Sequence, residues 1–240
     1  MSLEIIAVHE DFLVVVKPAG LSFHTEDGQA SLVDLARQTT GFTALFPVHR
    51  LDKITSGLVL LARNEVAARR FGTLFAAGKM EKYYLALSRK SPSKKQGAIK
   101  GAMAKGRNGS WRLAREEGPM ALTQFFSYGL GNDGSGLRLF VLRPRTGRTH
   151  QLRVALKSLG SPILGDARYG GEEADRGYLH AYRLRFDWQG QSLAFTAPLQ
   201  EGEFFRLPAL ATKLAELGPV EQLPWPEVRL PPREPAGRQT

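Results

Sequence analysis

The chain has 240 residues, of which 42% are hydrophobic and 23% charged, a balance typical of a globular protein with a sizeable core. It contains no cysteine, which excludes disulfides, cysteine-ligated zinc and a thiol nucleophile and is compatible with the cytosol. The five histidines are scattered without metal-site spacing, and no apolar run is long enough to span a membrane. We expect a cytoplasmic monomer that holds no metal and contacts no membrane.

Positive charge is concentrated in residues 82–115, a segment that we call the basic window. The chain has 33 Lys and Arg against 23 Asp and Glu, a surplus of ten positive charges. The basic window contains ten lysines and arginines and no acidic residue, so its own charge equals the surplus of the whole chain. Such a segment favours a polyanionic partner such as nucleic acid, with a solvated loop as the alternative.

The first half of the chain predicts short strands and helices in alternation with turns. Residues 13–16 form an apolar run typical of a buried strand, and residues 83–87 predict another. Apolar residues at spacings of three and four predict helices over 31–38 and from Asn64 to Lys79, with Asn64 as the N-cap. We expect the basic window after them to form irregular hairpins, because four glycines interrupt it.

The second half is richer in strand patterns. Residues 123–128 and 137–142 predict an antiparallel pair, and residues 178–188 and 192–198 predict further strands. A last helix is predicted over 208–217. This succession of hairpins and scattered helices indicates an α+β fold rather than regular βαβ units.

The end of the chain has a different composition. Six of the fourteen prolines follow Gly218, and no apolar period accompanies them. A segment of this kind has little to bury. We therefore predict a catalytic domain over residues 1–218 and a proline-rich, flexible tail over residues 219–240.

The segment His49–Gly57, with the sequence HRLDKITSG, is the motif around which the chain is organised. It concentrates a histidine, an arginine, a lysine and the single carboxylate of Asp52 in front of residues 58–62, which predict a buried strand. A loop held by a rigid scaffold favours functional side chains over packing ones. For this motif alone, a charged surface turn with an internal Arg–Asp pair remains the better supported interpretation.

A second polar cluster lies between Arg143 and Arg153, where four arginines fall within eleven residues. The pattern becomes helical from Thr149, so that Arg153 would project from the first turns of a helix. Because helix N-termini favour negative charge, the cluster suggests an anion site, with a solvated basic turn as the alternative.

Taken together, these segments resemble the RluA-type family of pseudouridine synthases. Each motif alone would be weak, but the ordered set covers about residues 5–200 in the sequence order of that family. The matching segments are Leu13–Gly20, His49–Asp52 with Thr55–Gly57, Glu81–Ala86, Arg145–Arg153, Gly165–Gly170 and Leu179–Ala181.

The resemblance implies an RNA-binding enzyme that isomerises uridine in ribosomal or transfer RNA to pseudouridine without a cofactor. It implies a mixed, mainly antiparallel sheet with flanking helices and a central catalytic cleft. By the same resemblance, Asp52 is the catalytic carboxylate, Tyr84 stacks on the target base and Arg153 pairs with Asp52. Arg50 would fill the space left by the flipped nucleotide. The other substrate contacts that it implies are His49, Lys82, Arg148 and Leu152.

Three features depart from the family pattern. Ala155 stands where a histidine commonly occurs, and Glu117–Ala121 is a poor copy of the family's Gly-Lys-Pro-Ala stretch. These two concern substrate contacts and leave the catalytic residues in place. We also expect no small RNA-binding module before residue 8, which makes the basic window the natural RNA contact.

The residues agree with the chemistry that the resemblance implies. The reaction breaks the bond from uracil N1 to the ribose and rejoins the base through carbon 5, which requires no redox agent, metal or thiol. An ionised carboxylate can attack the ribose, attack the base or abstract a proton, and these three routes stay open. The alternative function is a non-catalytic RNA-binding protein on the same scaffold, against which the intact Asp52, Tyr84 and Arg153 argue.

Overall fold

The computed structural model describes residues 3–23, 30–114, 118–131 and 136–229, and within these ranges eleven strands form one sheet with four α-helices around it. The strands are β1 (Glu4–Val8), β2 (Phe12–Lys17), β3 (Phe46–Pro47), β4 (Ser56–Ala62), β5 (Glu81–Ser88), β6 (Gln96–Lys105), β7 (Trp111–Ala114), β8 (Met120–Gly129), β9 (Arg138–Pro144), β10 (Leu179–Trp188) and β11 (Gln191–Thr196). The helices are α1 (Leu32–Thr40), α2 (Glu65–Ala76), α3 (Gln151–Ser158) and α4 (Pro208–Leu217). No helix in these ranges is long and apolar enough to cross a membrane.

The strand order is β1-β2-β4-β10-β5-β9-β8-β6-β7, with β3 paired to β4 and β11 paired to β10. Strands β4 and β10 run parallel, and the other described pairs are antiparallel. The prediction of an α+β fold with a mixed, mainly antiparallel sheet is thereby confirmed.

Both faces of the sheet are covered where the apolar runs of β2 and β4 lie. In β2, Leu13 belongs to the apolar cluster that includes Leu32 of α1, whereas its neighbour Phe12 belongs to the cluster that includes Phe71 of α2. Side chains that alternate along a strand point to opposite faces. A strand buried on both faces reads as a continuous apolar run, which is why residues 13–16 and 58–62 show no polar alternation.

Local capping sequences explain where the helices begin. Ser31 and Asp34 form a reciprocal capping box at the start of α1, with hydrogen bonds of 3.2 and 3.0 Å between each side chain and the other residue's backbone N–H. The Asn64 side chain accepts a hydrogen bond of 2.7 Å from the backbone of Ala67 and caps α2. Helix α4 has the predicted bounds, with Pro208 at its first position.

The basic window is more regular than its glycines suggest. Strands β6 and β7 form a hairpin at one edge of the sheet, residues 96–114, which we call the basic hairpin. Continuous pairing of Gln96–Ala102 with β8 explains the regularity, since the ladder fixes the backbone although four glycines interrupt the sequence. Arg115 and Glu117 lie outside the described residues.

The structure corrects the prediction of a flexible tail for residues 219–229. Val220 is buried, and the ring of Trp225 lies 5.1 Å from that of Phe126 and 5.8 Å from that of Tyr83, measured between centroids. The Gln124 side chain donates a hydrogen bond of 2.6 Å to the Pro226 carbonyl. Isolated apolar residues hold this segment on the sheet, so no periodicity marks it in the sequence. Residues 230–240 lie outside the described residues.

We expect a chain ending at Gly218 to unfold at a lower temperature, because it exposes the surface that Trp225 and Val220 cover. For Trp225→Ala we expect a loss of about 2 kcal/mol, below the range for a fully buried tryptophan because its side chain is half-buried. In a domain of this size that loss lowers the melting temperature by roughly 4–8 °C. A chain ending at Arg229 is the control and should melt with the full chain; equal melting of the Gly218 variant would contradict the docking.

Candidate active site

The strand register brings the central motif beside Tyr84. Gly57 of β4 lies opposite Ala181 of β10, and Ala181 lies opposite Tyr84 of β5, so three adjacent strands place these residues in one row. The loop that carries Asp52 enters β4 directly before this row. Residues more than thirty positions apart in the sequence are therefore neighbours, and the loop and Tyr84 line one region of the sheet.

Gly57 is required for this arrangement. Its φ is 108°, and a Cβ atom added at this position would overlap the carbonyl oxygen of Ala181. Only glycine fits a positive φ together with so close a backbone approach. The TSG sequence at the start of β4 thus permits the parallel β4–β10 contact on which the site depends.

The Asp52 loop is anchored by the buried ammonium of Lys17, at the end of β2. Lys17 Nζ donates to the carbonyl oxygens of Pro18, Leu21 and Lys53 at 2.9, 2.7 and 3.2 Å. The Gly20 N–H donates to the same Lys53 carbonyl at 2.8 Å. These bonds fix the chain one residue after Asp52, and a fixed loop is what a catalytic carboxylate needs.

Arg153, the third residue of α3, connects two carboxylates. Its Nε and Nη2 atoms both donate to Asp166 at 2.7 Å, in a bidentate pair in which both side chains are buried. Its Nη1 atom lies 3.4 Å from Asp52 Oδ2, whose side chain remains 20% exposed. The predicted contact between Arg153 and Asp52 is therefore present in the structure.

This geometry leaves Asp52 with its charge only partly compensated. Asp166 takes the two short hydrogen bonds and orients the guanidinium, and Asp52 receives the single longer contact. Two carboxylates share one guanidinium, so the group of three has a net charge of −1 when all are ionised. Asp52 thus has a cationic neighbour and access to solvent, and both suit a carboxylate that acts as a nucleophile or base.

Tyr84 is buried, at 8% exposure, on the strand next to this group. Burial raises the pKa of its hydroxyl, and the charge of Asp52 raises it further. The phenol therefore stays protonated at neutral pH and offers an uncharged ring. Leu152, also buried, belongs to the same apolar cluster as Tyr84. An apolar wall beside a carboxylate suits the planar face of a base.

The remaining predicted substrate contacts differ in their surroundings. His49 Nε2 accepts a hydrogen bond of 2.9 Å from the backbone of Leu60, and its ring lies 5.2 Å from that of Phe75. Burial, with the nearby charge of Lys82, lowers the pKa of His49 to about 3 and keeps the ring neutral. These contacts give His49 a structural role, and its contact with substrate stays a prediction.

Lys82, Arg148 and Arg50 occupy three different environments. Burial lowers the pKa of Lys82 to about 8, and its ammonium lies 5.6 Å from the centre of the Phe75 ring. Arg148 Nε donates to the Met120 carbonyl at 3.2 Å, so part of its guanidinium is engaged with β8. Arg50 is exposed, two residues before Asp52.

Two further residues at the site, His150 and Tyr169, have no role in the sequence prediction. His150 Nε2 lies 4.0 Å from Asp52 Oδ2, and His150 Nδ1 lies 2.8 Å from the hydroxyl of Tyr169. Both belong to segments that match the family, as do Asp166 and Lys17. Sequence order contains no information on which of these side chains face Asp52, because α3 and the 166–169 turn meet only in the fold.

The comparisons with known proteins agree with this geometry. A model of the family described as RNA pseudouridylate synthase matches residues 11–158. A protein of Haemophilus influenzae named as an uncharacterized RNA pseudouridine synthase is 44% identical over 212 residues, or 88% of this chain and 93% of the relative. The ribosomal large subunit pseudouridine synthase C of Rickettsia bellii is 35% identical over 69% of this chain and 57% of its own length.

A solved structure extends the likeness to the whole fold. The human RNA pseudouridylate synthase domain containing 1 superposes with a TM-score of 0.71 and 26% identity, covering 94% of this chain and 97% of that one. The strand order, the carboxylate loop and the sequence matches thus lead to one conclusion. The chain belongs to the RNA pseudouridine synthase family.

Proposed function

We propose that this enzyme isomerises uridines in structured RNA, ribosomal or transfer, with Asp52 as the catalytic carboxylate. The observation that carries the proposal is the contact between Asp52 and an arginine that Asp166 holds rigidly, next to the ring of Tyr84. Mapping pseudouridines in RNA from cells with and without the protein identifies the RNA. A pseudouridine that disappears from ribosomal or transfer RNA supports the proposal, and unchanged maps in both contradict it.

The proposed chemistry rearranges atoms without adding any. The bond between N1 of uracil and C1′ of the ribose breaks, the base turns, and a bond forms between carbon 5 and C1′. The hydrogen of carbon 5 leaves, and N1 gains a hydrogen. Asp52 serves this sequence by attack on the ribose, attack on the base or proton abstraction, and each route requires its ionised form.

Tyr84 and Arg50 have complementary tasks in this proposal. The target base must leave the RNA stack before N1 and carbon 5 can reach Asp52. The neutral ring of Tyr84 offers the flipped base a stacking surface, which replaces part of the stacking lost in the RNA. Arg50, exposed at the start of the same loop, fills the space that the base vacates.

We expect Asp52→Asn to reduce pseudouridine formation to background while RNA affinity stays within a few-fold of the parent. Asparagine preserves the shape of the side chain but can neither carry charge nor act as a nucleophile. Release of tritium from carbon 5 of labelled uridine measures turnover, and filter binding measures affinity. Substantial turnover by the variant would contradict the role of Asp52, and tight RNA binding without turnover by the parent would favour the non-catalytic alternative.

We expect Arg153→Met to lose most of the activity, because Asp166 is then buried without its partner and Asp52 loses its cationic neighbour. Breaking a buried pair in this way also lowers stability by about 3–5 kcal/mol. Arg153→Lys is the matched control, since it restores the charge but not the fork that binds Asp166 and Asp52 together. Relative to Arg153→Met, Arg153→Lys should recover more of the stability than of kcat. Full activity in either variant would contradict the role assigned to Arg153.

The register of the basic hairpin divides its charges between the two faces of the sheet. Cross-strand partners share a face, and residues alternate along each strand. Lys105 lies on the face of Tyr84, whereas Lys100 and Arg112 lie on the opposite face. The partners that establish this are Tyr84↔Leu142, Leu142↔Phe125, Phe125↔Gly97, Lys100↔Leu122 and Ala104↔Arg112.

The tip of the basic hairpin is held at the side of the active site. Arg168 Nη1 donates a hydrogen bond to the backbone carbonyl of Asn108 in the tip, and Arg168 belongs to the turn that follows Asp166. Lys105 and Arg107 are exposed beside this contact. We infer that these two cations bind phosphates of the RNA that enters the cleft.

Replacing Lys105 and Arg107 with Gln should raise the Michaelis constant for RNA and leave turnover at saturation intact. Each lost phosphate contact lowers the log–log salt slope by ~0.7 for single-stranded RNA, so the pair should change it by roughly 1.4. Lys100→Gln with Arg112→Gln removes the same charge from the opposite face and is the control. Equal slopes for all three proteins, or equal losses in both double variants, would contradict a contact at the tip.

A further inference from the structure

A chain of hydrogen bonds leads from the basic hairpin to the side chain next to Asp52. The backbone N–H of Trp111, in β7, donates to the Tyr169 hydroxyl at 2.8 Å. The same hydroxyl lies 2.8 Å from His150 Nδ1, and His150 Nε2 lies 4.0 Å from Asp52 Oδ2. Tyr169 is 2% exposed, so its hydroxyl makes these contacts away from bulk solvent.

This series of hydrogen bonds determines which nitrogen of His150 carries the proton. The Tyr169 hydroxyl accepts the hydrogen of Trp111 and has one hydrogen of its own, which it can donate to an unprotonated Nδ1. The opposite tautomer would direct two donors at the hydroxyl and turn the lone pair of Nε2 towards the Asp52 carboxylate. Both contacts therefore favour the tautomer with hydrogen on Nε2.

The backbone at His150 supports a requirement for this side chain. His150 has φ 54° and ψ 18°, in the left-handed region, at the residue that precedes α3. Such a conformation costs of order 1–3 kcal/mol for a residue other than glycine, and asparagine tolerates it better. Strain of this kind is commonly found where a side chain is needed in one place.

We propose that His150 is a positioning residue that donates a hydrogen bond from Nε2 to Asp52 when RNA occupies the cleft, and that Tyr169 holds it in the required tautomer. The separation of 4.0 Å is too long for a hydrogen bond in the free enzyme. Contacts at catalytic groups commonly shorten when substrate binds. Arg153 and His150 then both orient Asp52 through its Oδ2 oxygen. The inference rests on the proposed role of Asp52.

The surroundings of His150 favour its neutral form. Burial lowers the pKa of its ring, and the cations Arg153 and Arg168 act in the same direction, against the opposing carboxylates of Asp52 and Asp166. The ring is thus neutral at pH 7 and donates without holding Asp52 in an ion pair. Tyr169 also keeps its proton, because burial raises the pKa of its hydroxyl.

The basic hairpin holds one end of this series of hydrogen bonds in place. Trp111 supplies a backbone N–H, which side-chain motion does not displace, and the contact between Arg168 and Asn108 ties the tip to the turn that ends at Tyr169. The segment proposed to bind phosphates therefore also fixes the orientation and the tautomer of the His150 ring, through Tyr169. RNA that displaces the hairpin from its correct position would fail to align Asp52.

Tyr169→Phe tests the tautomer, because phenylalanine keeps the ring and removes the hydroxyl hydrogen that Tyr169 donates to His150 Nδ1. We expect kcat to fall about tenfold, the order expected for the loss of one hydrogen bond at a reacting group, with the Michaelis constant within about twofold. Without that bond the neutral ring is less favoured, so the pKa of His150 rises and the acidic limb of kcat moves to higher pH. Tyr128→Phe, on the face opposite Tyr84, is the matched control and should leave both constants unchanged.

His150→Gln and His150→Asn distinguish the effect of losing the Nε2 donor from the effect of relieving the left-handed backbone conformation. Glutamine can place its amide N–H near the position of Nε2 and does not titrate, whereas asparagine suits the left-handed backbone but is too short to reach Asp52. We expect glutamine to retain more kcat than asparagine. The reverse order would show that backbone relief, not the donor, decides the effect, and would overturn the inference.

The decisive experiment is a double-mutant cycle between the two residues. Tyr169→Phe should lower kcat about tenfold in the parent and less than about twofold in His150→Gln, which has no tautomer to hold. Equal losses in both backgrounds would mean that Tyr169 only supports folding, and would overturn the inference.

Nitrogen-15 NMR of the parent gives a second measurement. The His150 signals, assigned by their absence in His150→Gln, should show hydrogen on Nε2, and hydrogen on Nδ1 overturns the proposal. Because Asp52→Asn reports on the catalytic carboxylate separately, a failed cycle with an inactive Asp52→Asn leaves the proposed function standing.

Discussion

A single guanidinium, that of Arg153, determines how charge is distributed at the centre of this enzyme. Its two short hydrogen bonds go to Asp166 and its one longer contact goes to Asp52. If the bidentate partner were Asp52, its charge would be compensated and its lone pairs occupied by hydrogen bonds, which is unfavourable for a nucleophile or base. With Asp166 in that position, the arginine is held in place, and the Asp52 carboxylate is only partly paired and stays accessible. Asp166 therefore acts on Asp52 through Arg153, although the structure gives no direct contact between the two carboxylates.

The position of this guanidinium depends in turn on the parallel contact between β4 and β10. That contact aligns the Asp52 loop with Tyr84 across three strands, and Arg153 of α3 contacts Asp52 in that loop. Gly57 permits the close backbone approach, and the Lys17 ammonium donates a hydrogen bond to the carbonyl of Lys53 in the loop. Burying a lysine is costly unless its donors are satisfied, and here three carbonyl oxygens satisfy them. The backbone of the motif is thus held before any substrate binds.

Much of this could be predicted from the sequence, and the exceptions have physical causes. Caps and periodic apolar residues located α1, α2 and α4, because these signals are local. The contact between Arg153 and Asp52 followed from family resemblance, since 101 residues separate them in the chain. Asp166, Lys17 and Tyr169 were missed because each acts through a partner that only the fold brings near. The hydrogen bond that His49 accepts from the backbone N–H of Leu60 was also missed, because a motif does not reveal such a contact.

The basic hairpin shows why charge along a sequence and charge on a surface differ. Ten cations in one window suggest one binding patch, yet strand alternation directs Lys100 and Arg112 away from the face that contains Tyr84. Lys105 and Arg107 are exposed at the tip, where Arg168 ties the hairpin to the turn ending in Tyr169. The backbone N–H of Trp111 bonds the hydroxyl of that tyrosine. In the mechanism that we propose, phosphate binding and the alignment of Asp52 therefore share one element, so an RNA that binds the tip correctly would also complete the catalytic geometry.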